Sequence, residues 1–382
     1  MSPKHHPATR TFTRRTVLGA AAAAVPLALG ARGASAATFP DPSPHVPKSA
    51  IKTYADMVKE LGRLEARSRF GLRASTLREL GITPGVTEAG RDLWVATVGT
   101  GPQHVWLQGR IHGNEPYGVD TLLTILGAVG SSGAPQYRAI RDALTLHVIP
   151  MYNPDGAELN IRHTVLADGT RVDLNRDWAP DAFAAAESRA WYTYWTRVKP
   201  AYGLDIHHQG LKTEADGDAI TMSLGISLAP SGPTLPDVKA GLYDRQTRQM
   251  QGHVYQAVSR AGFTNVDRYS VGSYEIDIAG GVSSAVMLGL DWNGLNPTGH
   301  SHPMVFFETS GNTSDGSIGQ KARGKFIRQN VIGATTLLEG LATGAVWTTD
   351  RMLWHSIPHV DYTGYLSDGN RVVTPWPTRP PL

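Results

Sequence analysis

Three short apolar runs, each ending in a metal-competent or acidic side chain, constrain this chain more than any other feature. Val105 to Leu107 lead into Gly109-Arg110-Ile111-His112-Gly113-Asn114-Glu115, Ala201 to Ile206 end in His207-His208-Gln209-Gly210, and Met304 to Phe307 end in Glu308-Thr309-Ser310-Gly311. Such runs read as buried strands, and Val119 to Leu126 reads as the apolar face of a helix. His112 and Glu115 therefore sit on a strand-to-helix turn, where α/β proteins place their chemistry. They are two zinc-competent side chains three residues apart. A catalytic zinc takes three protein ligands and keeps a fourth position for water, so a distant third ligand is required, and His207 is the candidate. Adjacent strand residues point to opposite faces, so only one of His207 and His208 is able to aim at the metal. Glu308 at the end of its apolar strand must be paired, hydrated or catalytic, and we read it as a general base.

Strand-like and helix-like segments alternate along the chain. Tyr54 to Ser68, Ala182 to Lys199, Tyr243 to Ala261 and Gly319 to Leu341 carry helical spacing, whereas Leu93 to Val98, His104 to Gln108 and Leu144 to Met151 read as strands. Leu211 to Gly241, punctuated by glycine and proline, is expected to be a long functional loop. The expected fold class is α/β, a single domain with a mixed, mostly parallel central sheet flanked by helices.

The N-terminus carries Thr13-Arg14-Arg15-Thr16-Val17-Leu18-Gly19, an alanine-rich apolar stretch and then Ala34-Ser35-Ala36, which is the pattern of a twin-arginine export signal. An ordinary Sec leader is the competing reading, and either implies export. The apolar stretch is shorter than the roughly 20 residues a spanning helix needs, so no membrane association is expected after its removal. Removing residues 1–36 takes away five basic residues and no acidic one, changing the formal charge from +3 to −2. The mature chain has no basic excess to suggest nucleic-acid binding. The absence of cysteine excludes disulfides, thiolate metal sites and a cysteine nucleophile. The expected organisation is an export signal at 1–36, an N-terminal extension at 37–53, a catalytic domain at 54–342 and a C-terminal extension at 343–382.

His112-x-x-Glu115, Asn153-Pro154-Asp155-Gly156, Asp173-Leu174-Asn175-Arg176-Asp177-Trp178, Asp205-Ile206-His207 and Phe307-Glu308, in that order, resemble the zinc carboxypeptidases of the M14 type from about Tyr54 to Leu341. The resemblance implies one Zn2+ per chain, held by His112, Glu115 and His207, with Glu308 taking a proton from a zinc-activated water and passing it to the leaving amine. It implies that Arg162 stabilises the developing oxyanion, with Arg171 the alternative closer to the next motif. Asn175 and Arg176 match the pair that holds the substrate's terminal carboxylate, and Asp173 matches the carboxylate that orients the first histidine. His208 is left as a pocket or supporting residue.

The match departs from the family where its substrate-closing tyrosine belongs. Counting back from Leu290-Asp291-Trp292 reaches Ser283 and Ser284, with Tyr274 nearby, and the specificity position near Leu290 carries no aspartate. The leading expectation is a secreted metallocarboxypeptidase acting on peptide or protein C-termini after passage through the twin-arginine machinery. The alternative is a zinc amidase or deacylase of the same fold acting on cell-wall peptides or N-acyl amino acids. A catalytically silent binding module is a third reading, opposed by the joint presence of the three ligands and Glu308.

Overall fold

The computed structural model of the protein describes residues 51–178, 183–210, 220–226, 239–269, 281–288, 299–311, 320–360, 365–366 and 372–373. The first half runs α1 (Tyr54–Arg67), β1 (Arg73–Thr76), β2 (Trp94–Val98), β3 (Gln103–Gly109), α2 (Tyr117–Ser131), α3 (Pro135–Ala143), β4 (Leu144–Ile149) and α4 (Pro154–Leu159). A small hairpin follows, β5 (Thr164–Val165) and β6 (Arg171–Val172), and then α5 (Ala186–Val198) and β7 (Tyr202–Gln209). The remainder is β8 (Met222–Ile226), α6 (Leu242–Arg260), β9 (Val266–Arg268), α7 (Val282–Leu288), β10 (Met304–Ser310), α8 (Gln320–Thr343), a 3₁₀ turn at Ala345–Thr348 and α9 (Leu353–Ser356). Two further short strands, Tyr365–Leu366 and Val372–Val373, pair with each other.

The main sheet has the order β1-β2-β4-β3-β7-β10-β8-β9. Its centre, β4-β3-β7-β10, is parallel throughout, β8 and β9 are also parallel to each other, and the other ladders are antiparallel. This is the expected α/β fold with a mixed, mostly parallel sheet between helices. Four neighbouring parallel strands end on one edge, which brings together His112 beyond β3, His207 on β7 and Glu308 on β10. His207 and Glu308 are register partners, so their side chains share a face.

Helix α5 covers that face nearer the strand starts, where Trp191 meets Trp106 edge-on at 6.3 Å and Tyr194 meets it at 5.9 Å. On the opposite face, Phe307 packs toward Gly333 of α8 and Val254 of α6 lies beside them. Burying a side chain of that size contributes about 1.5–3 kcal/mol. Between β3 and α2 the backbones approach so closely that a Cβ on Gly109 would lie 3.0 Å from the Cα of Gly118. A larger residue at either position would push the helix away from the end of the strand that carries His112.

Helix α1 begins with the capping box its sequence allows, Thr53 and Asp56 each bonding the other's backbone N–H. The expected loop at 211–241 instead contains β8, which lies between β10 and β9. Its five residues are buried on both faces, so no alternation marks it, and Gly225 reads as a breaker. The structure gives Gly225 a different role: a Cβ there would lie 1.9 Å from Cζ of Phe306, so the ring occupies the space a side chain would fill. Beyond residue 343, Val346, Trp354 and Ile357 are buried, and Arg268 N donates to Pro358 O, so the start of the expected C-terminal extension packs against the sheet and α6. Among the described residues no helix is long and apolar enough to cross a membrane.

Asp155 ties the β1–β2 connection to α4, accepting from Thr87 Oγ1, Ala89 N and Arg91 Nη1 at 2.6–2.8 Å. Nearby Glu187 is fully buried; Thr164 Oγ1 donates to its Oε1 at 2.8 Å, and its Oε2 has no partner among the described residues. Burial, with the charge of Asp155, pushes its pKa from 4.5 to about 8. The folded chain therefore keeps this proton where the unfolded chain has lost it. The contribution of Glu187 to stability is greatest below about pH 4.5 and declines as pH rises toward about 8, at up to about 1.4 kcal/mol per pH unit. Glu187→Gln is expected to remove that decline. Urea unfolding of both proteins across this interval measures it, and parallel pH profiles would show that Glu187 is ionised when folded.

Candidate metal centre

The turn after β3 is built to crowd its own backbone. Arg110 adopts φ 55°, in the left-handed region, and its buried guanidinium donates to Gly113 O at 2.9 Å, Lys52 O at 2.7 Å and Ala157 O at 3.3 Å. A Cβ on Gly113 would lie 2.0 Å from the carbonyl carbon of Gly156. The His112 turn and the Asn153-Pro154-Asp155-Gly156 turn thus interlock, with Asn153 Oδ1 accepting from Gly156 N at 2.8 Å.

Three donor groups converge there. Nδ1 of His112 lies 2.8 Å from Glu115 Oε1, while Nδ1 of His207 lies 3.2 Å from Glu115 Oε2 and 3.3 Å from Nδ1 of His112. All three residues are buried. Burial alone would raise the pKa of Glu115, but His112 and His207 reverse this and hold it well below the usual carboxylate range. Burial alone would lower the pKa of His207, and Asp205 and Glu115 hold it well above the ordinary histidine range instead.

The donor set fits zinc. Ligand atoms about 2.0–2.2 Å from a tetrahedral centre lie about 3.3–3.6 Å apart, so two of the three contacts need little or no movement and the His112 to Glu115 contact would open slightly. Both histidines present Nδ1 to the cluster, and each holds a carboxylate with its outer nitrogen. His112 Nε2 lies 3.2 Å from Asp173 Oδ1, and His207 Nε2 lies 2.8 Å from Asp205 Oδ2. Such partners fix the tautomer of a metal-bound imidazole.

Asp173 joins several of the predicted residues. The β5–β6 hairpin returns the chain so that Arg162 before it meets Asp173 after it, with Nε at 3.0 Å and Nη2 at 2.9 Å from Asp173 Oδ2. Arg162 Nη1 also lies 3.3 Å from His112 Nδ1. Burial alone would raise the pKa of Asp173, but Arg162 and His112 hold it well below the usual range. Its Oδ1 accepts from Asn175 N at 2.9 Å, and Asn175 Oδ1 accepts from Val282 N of α7 at 2.9 Å. Arg176 Nη1 donates to Asn175 O at 2.9 Å. Arg171, the alternative to Arg162, is exposed on β6.

Glu308 is buried beside His207, and burial raises its pKa to about 8, opposed by His207 and Arg162. The ring of His208 points away from the cluster; its Nδ1 donates to Gly311 O at 2.7 Å and its Nε2 accepts from Tyr117 N at 3.0 Å. Tyr274 and Leu290 lie outside the described residues, and Ser283 is buried on α7.

Residues 78–208 match the family model described as zinc carboxypeptidase. The likeness to that family is shown over this segment of the 382-residue chain. The chain is 33% identical over 103 residues to a probable carboxypeptidase 2 of Arthroderma benhamiae, an alignment covering 27% of this chain and 18% of that protein. The matched region thus spans less than a fifth of that relative's length. The fold is similar to a metallo-carboxypeptidase from Burkholderia cenocepacia, with TM-score 0.52, 20% identity and coverage of 78% of this chain and 70% of that one. It is also similar to carboxypeptidase A from Helicoverpa armigera, with TM-score 0.57, 15% identity and coverage of 82% and 79%.

Two residues near the candidate ligand set carry no role in the sequence pattern. Asp205 stands two residues before His207, and on a strand that spacing alone puts both on one face. Arg110 had no comparable signal, because its work is done through backbone carbonyls from three separate segments.

Proposed function

We propose that this chain is an exported zinc metallocarboxypeptidase that removes single residues from the C-termini of peptides or proteins. The observation that carries the reading is the convergence of His112 Nδ1, the Glu115 carboxylate and His207 Nδ1 at the sheet edge where Glu308 also stands. Zinc held by these three would lower the pKa of a coordinated water toward neutrality. Glu308 accepts the water's proton and delivers it to the leaving amine. Arg162 donates to the carbonyl oxygen as negative charge grows on it, with Asp173 keeping the guanidinium in place. Asn175 and Arg176 receive the terminal carboxylate, for which a planar guanidinium is well shaped. In this reading residues 1–36 direct export by the twin-arginine route, residues 54–342 form the catalytic domain, and the flanking segments are extensions.

The test is mass spectrometry of a mixed peptide pool incubated with the zinc-loaded chain from residue 37 onward, with free and amidated C-termini and a chelator control. Stepwise, chelator-sensitive loss of single residues from free C-termini alone is the expected result. Bound zinc without trimming would overturn the exopeptidase reading in favour of an amidase or deacylase, to be assayed on cell-wall peptides and N-acyl amino acids.

A further inference from the structure

The two carboxylates behind the histidines are supported differently. Asp173 is bound by a cation, Arg162, whereas Asp205 is bound by a neutral amide. Gln108 Nε2 donates to Asp205 Oδ2 at 2.7 Å, and Trp106 Nε1 donates to Gln108 Oε1 at 2.7 Å. Trp106, Gln108, Asp205 and His207 are at most 1% exposed, so water does not compete along the chain. Trp106 and Gln108 are alternate residues of β3, Asp205 and His207 are alternate residues of β7, and the strands cross-link at the Gln108 and Asp205 register pair.

The chemistry of the two ends sets the direction of every bond. An indole N–H donates and never accepts, so Trp106 turns the Gln108 carbonyl toward itself and the amide N–H toward Asp205. An ionised carboxylate only accepts, so the proton in its contact with His207 belongs to Nε2. That contact turns the other ring nitrogen, Nδ1, toward Glu115 and His112, where a cation would take its lone pair. Asp205 Oδ1 has no partner among the described residues, so Gln108 is the one group besides His207 itself that holds the carboxylate in place among them.

Resting on the zinc reading above, we propose that Gln108 and Trp106 are positioning residues of the metal centre, fixing Asp205 so that the His207 ring is held with Nδ1 toward the ion. Neither residue touches substrate.

The experiment measures the zinc Kd of the full mature chain by competition with a chromogenic chelator, together with the visible spectrum of the Co2+ form. The variants are Asp205→Asn, Gln108→Met, Trp106→Phe and the double variant of the last two. Asp205→Asn is expected to raise the zinc Kd about 10–100-fold, the range for loss of a partner behind a metal ligand. Gln108→Met should raise it by about 10-fold, at the lower end of that range, and Trp106→Phe by less. Both should alter the Co2+ spectrum. The double variant should match Gln108→Met alone, because Trp106 acts only through Gln108, whereas general packing defects would add. Unchanged zinc affinity in Gln108→Met and Trp106→Phe, or additive losses, would overturn the relay alone. Failure of the parent chain to bind zinc would overturn the metal reading and the relay with it.

Discussion

Exchanging Glu308 for glutamine is expected to lower kcat/KM on a peptide by about 10²–10⁴-fold while zinc content stays stoichiometric. Glutamine keeps the shape and the place on β10 but accepts no proton. Burial holds the Glu308 carboxyl up to about 8, and the charges of Glu115 and Asp205 add to this against His207 and Arg162. In the proposed reading, a dication on the three ligands would add positive charge beside it, which favours the carboxylate. The acid limb of the rate profile is therefore expected below about pH 8, with activity lost as pH falls and Glu308 takes up its proton. The variant's residual rate should lack that limb. Metal analysis and pH–rate profiles of both proteins decide the matter: retained activity, or loss of zinc along with activity, would remove Glu308 from the role of base.

The parts of this molecule that sequence pattern reaches are those where one period dominates. Parallel strands buried on both faces appear as continuous apolar runs, so β3, β7 and β10 were legible, and the polar residues at their ends followed from them. Strand β8 is equally buried but is five residues long, contains Gly225 and lies among glycines and prolines, so it reads as loop. Its place depends on the Phe306 ring of β10, a contact no local pattern encodes. At the site, His112, Glu115 and His207 could be picked out because their residue types are rare on apolar strand ends. Gln108 could not, since a glutamine within an apolar run carries no signal until the register with Asp205 is known. The meeting of Arg162 with Asp173 likewise depends on the hairpin between them closing.

The same register argument separates the two adjacent histidines, and replacing each by alanine should give opposite results. His207→Ala removes an Nδ1 from the donor cluster and leaves the buried Asp205 carboxylate with Gln108 as its only hydrogen-bond partner among the described residues. Loss of a direct ligand should exceed the roughly 10–100-fold loss of affinity expected for a supporting partner, so stoichiometric zinc should not survive gel filtration. His208 faces the other way. Burial holds its pKa down at about 4, and as a neutral ring it donates to Gly311 O and accepts from Tyr117 N. His208→Ala should therefore cost about 1–3 kcal/mol of stability for each buried group left unpaired. Zinc should remain bound, because the contact of residue 208 with the ligand set, 3.0 Å from its N–H to Glu115 Oε2, belongs to the backbone and survives the substitution. Metal content after gel filtration, read beside urea unfolding, distinguishes the two. Zinc lost from His208→Ala and kept by His207→Ala would reverse the assignment of faces on β7.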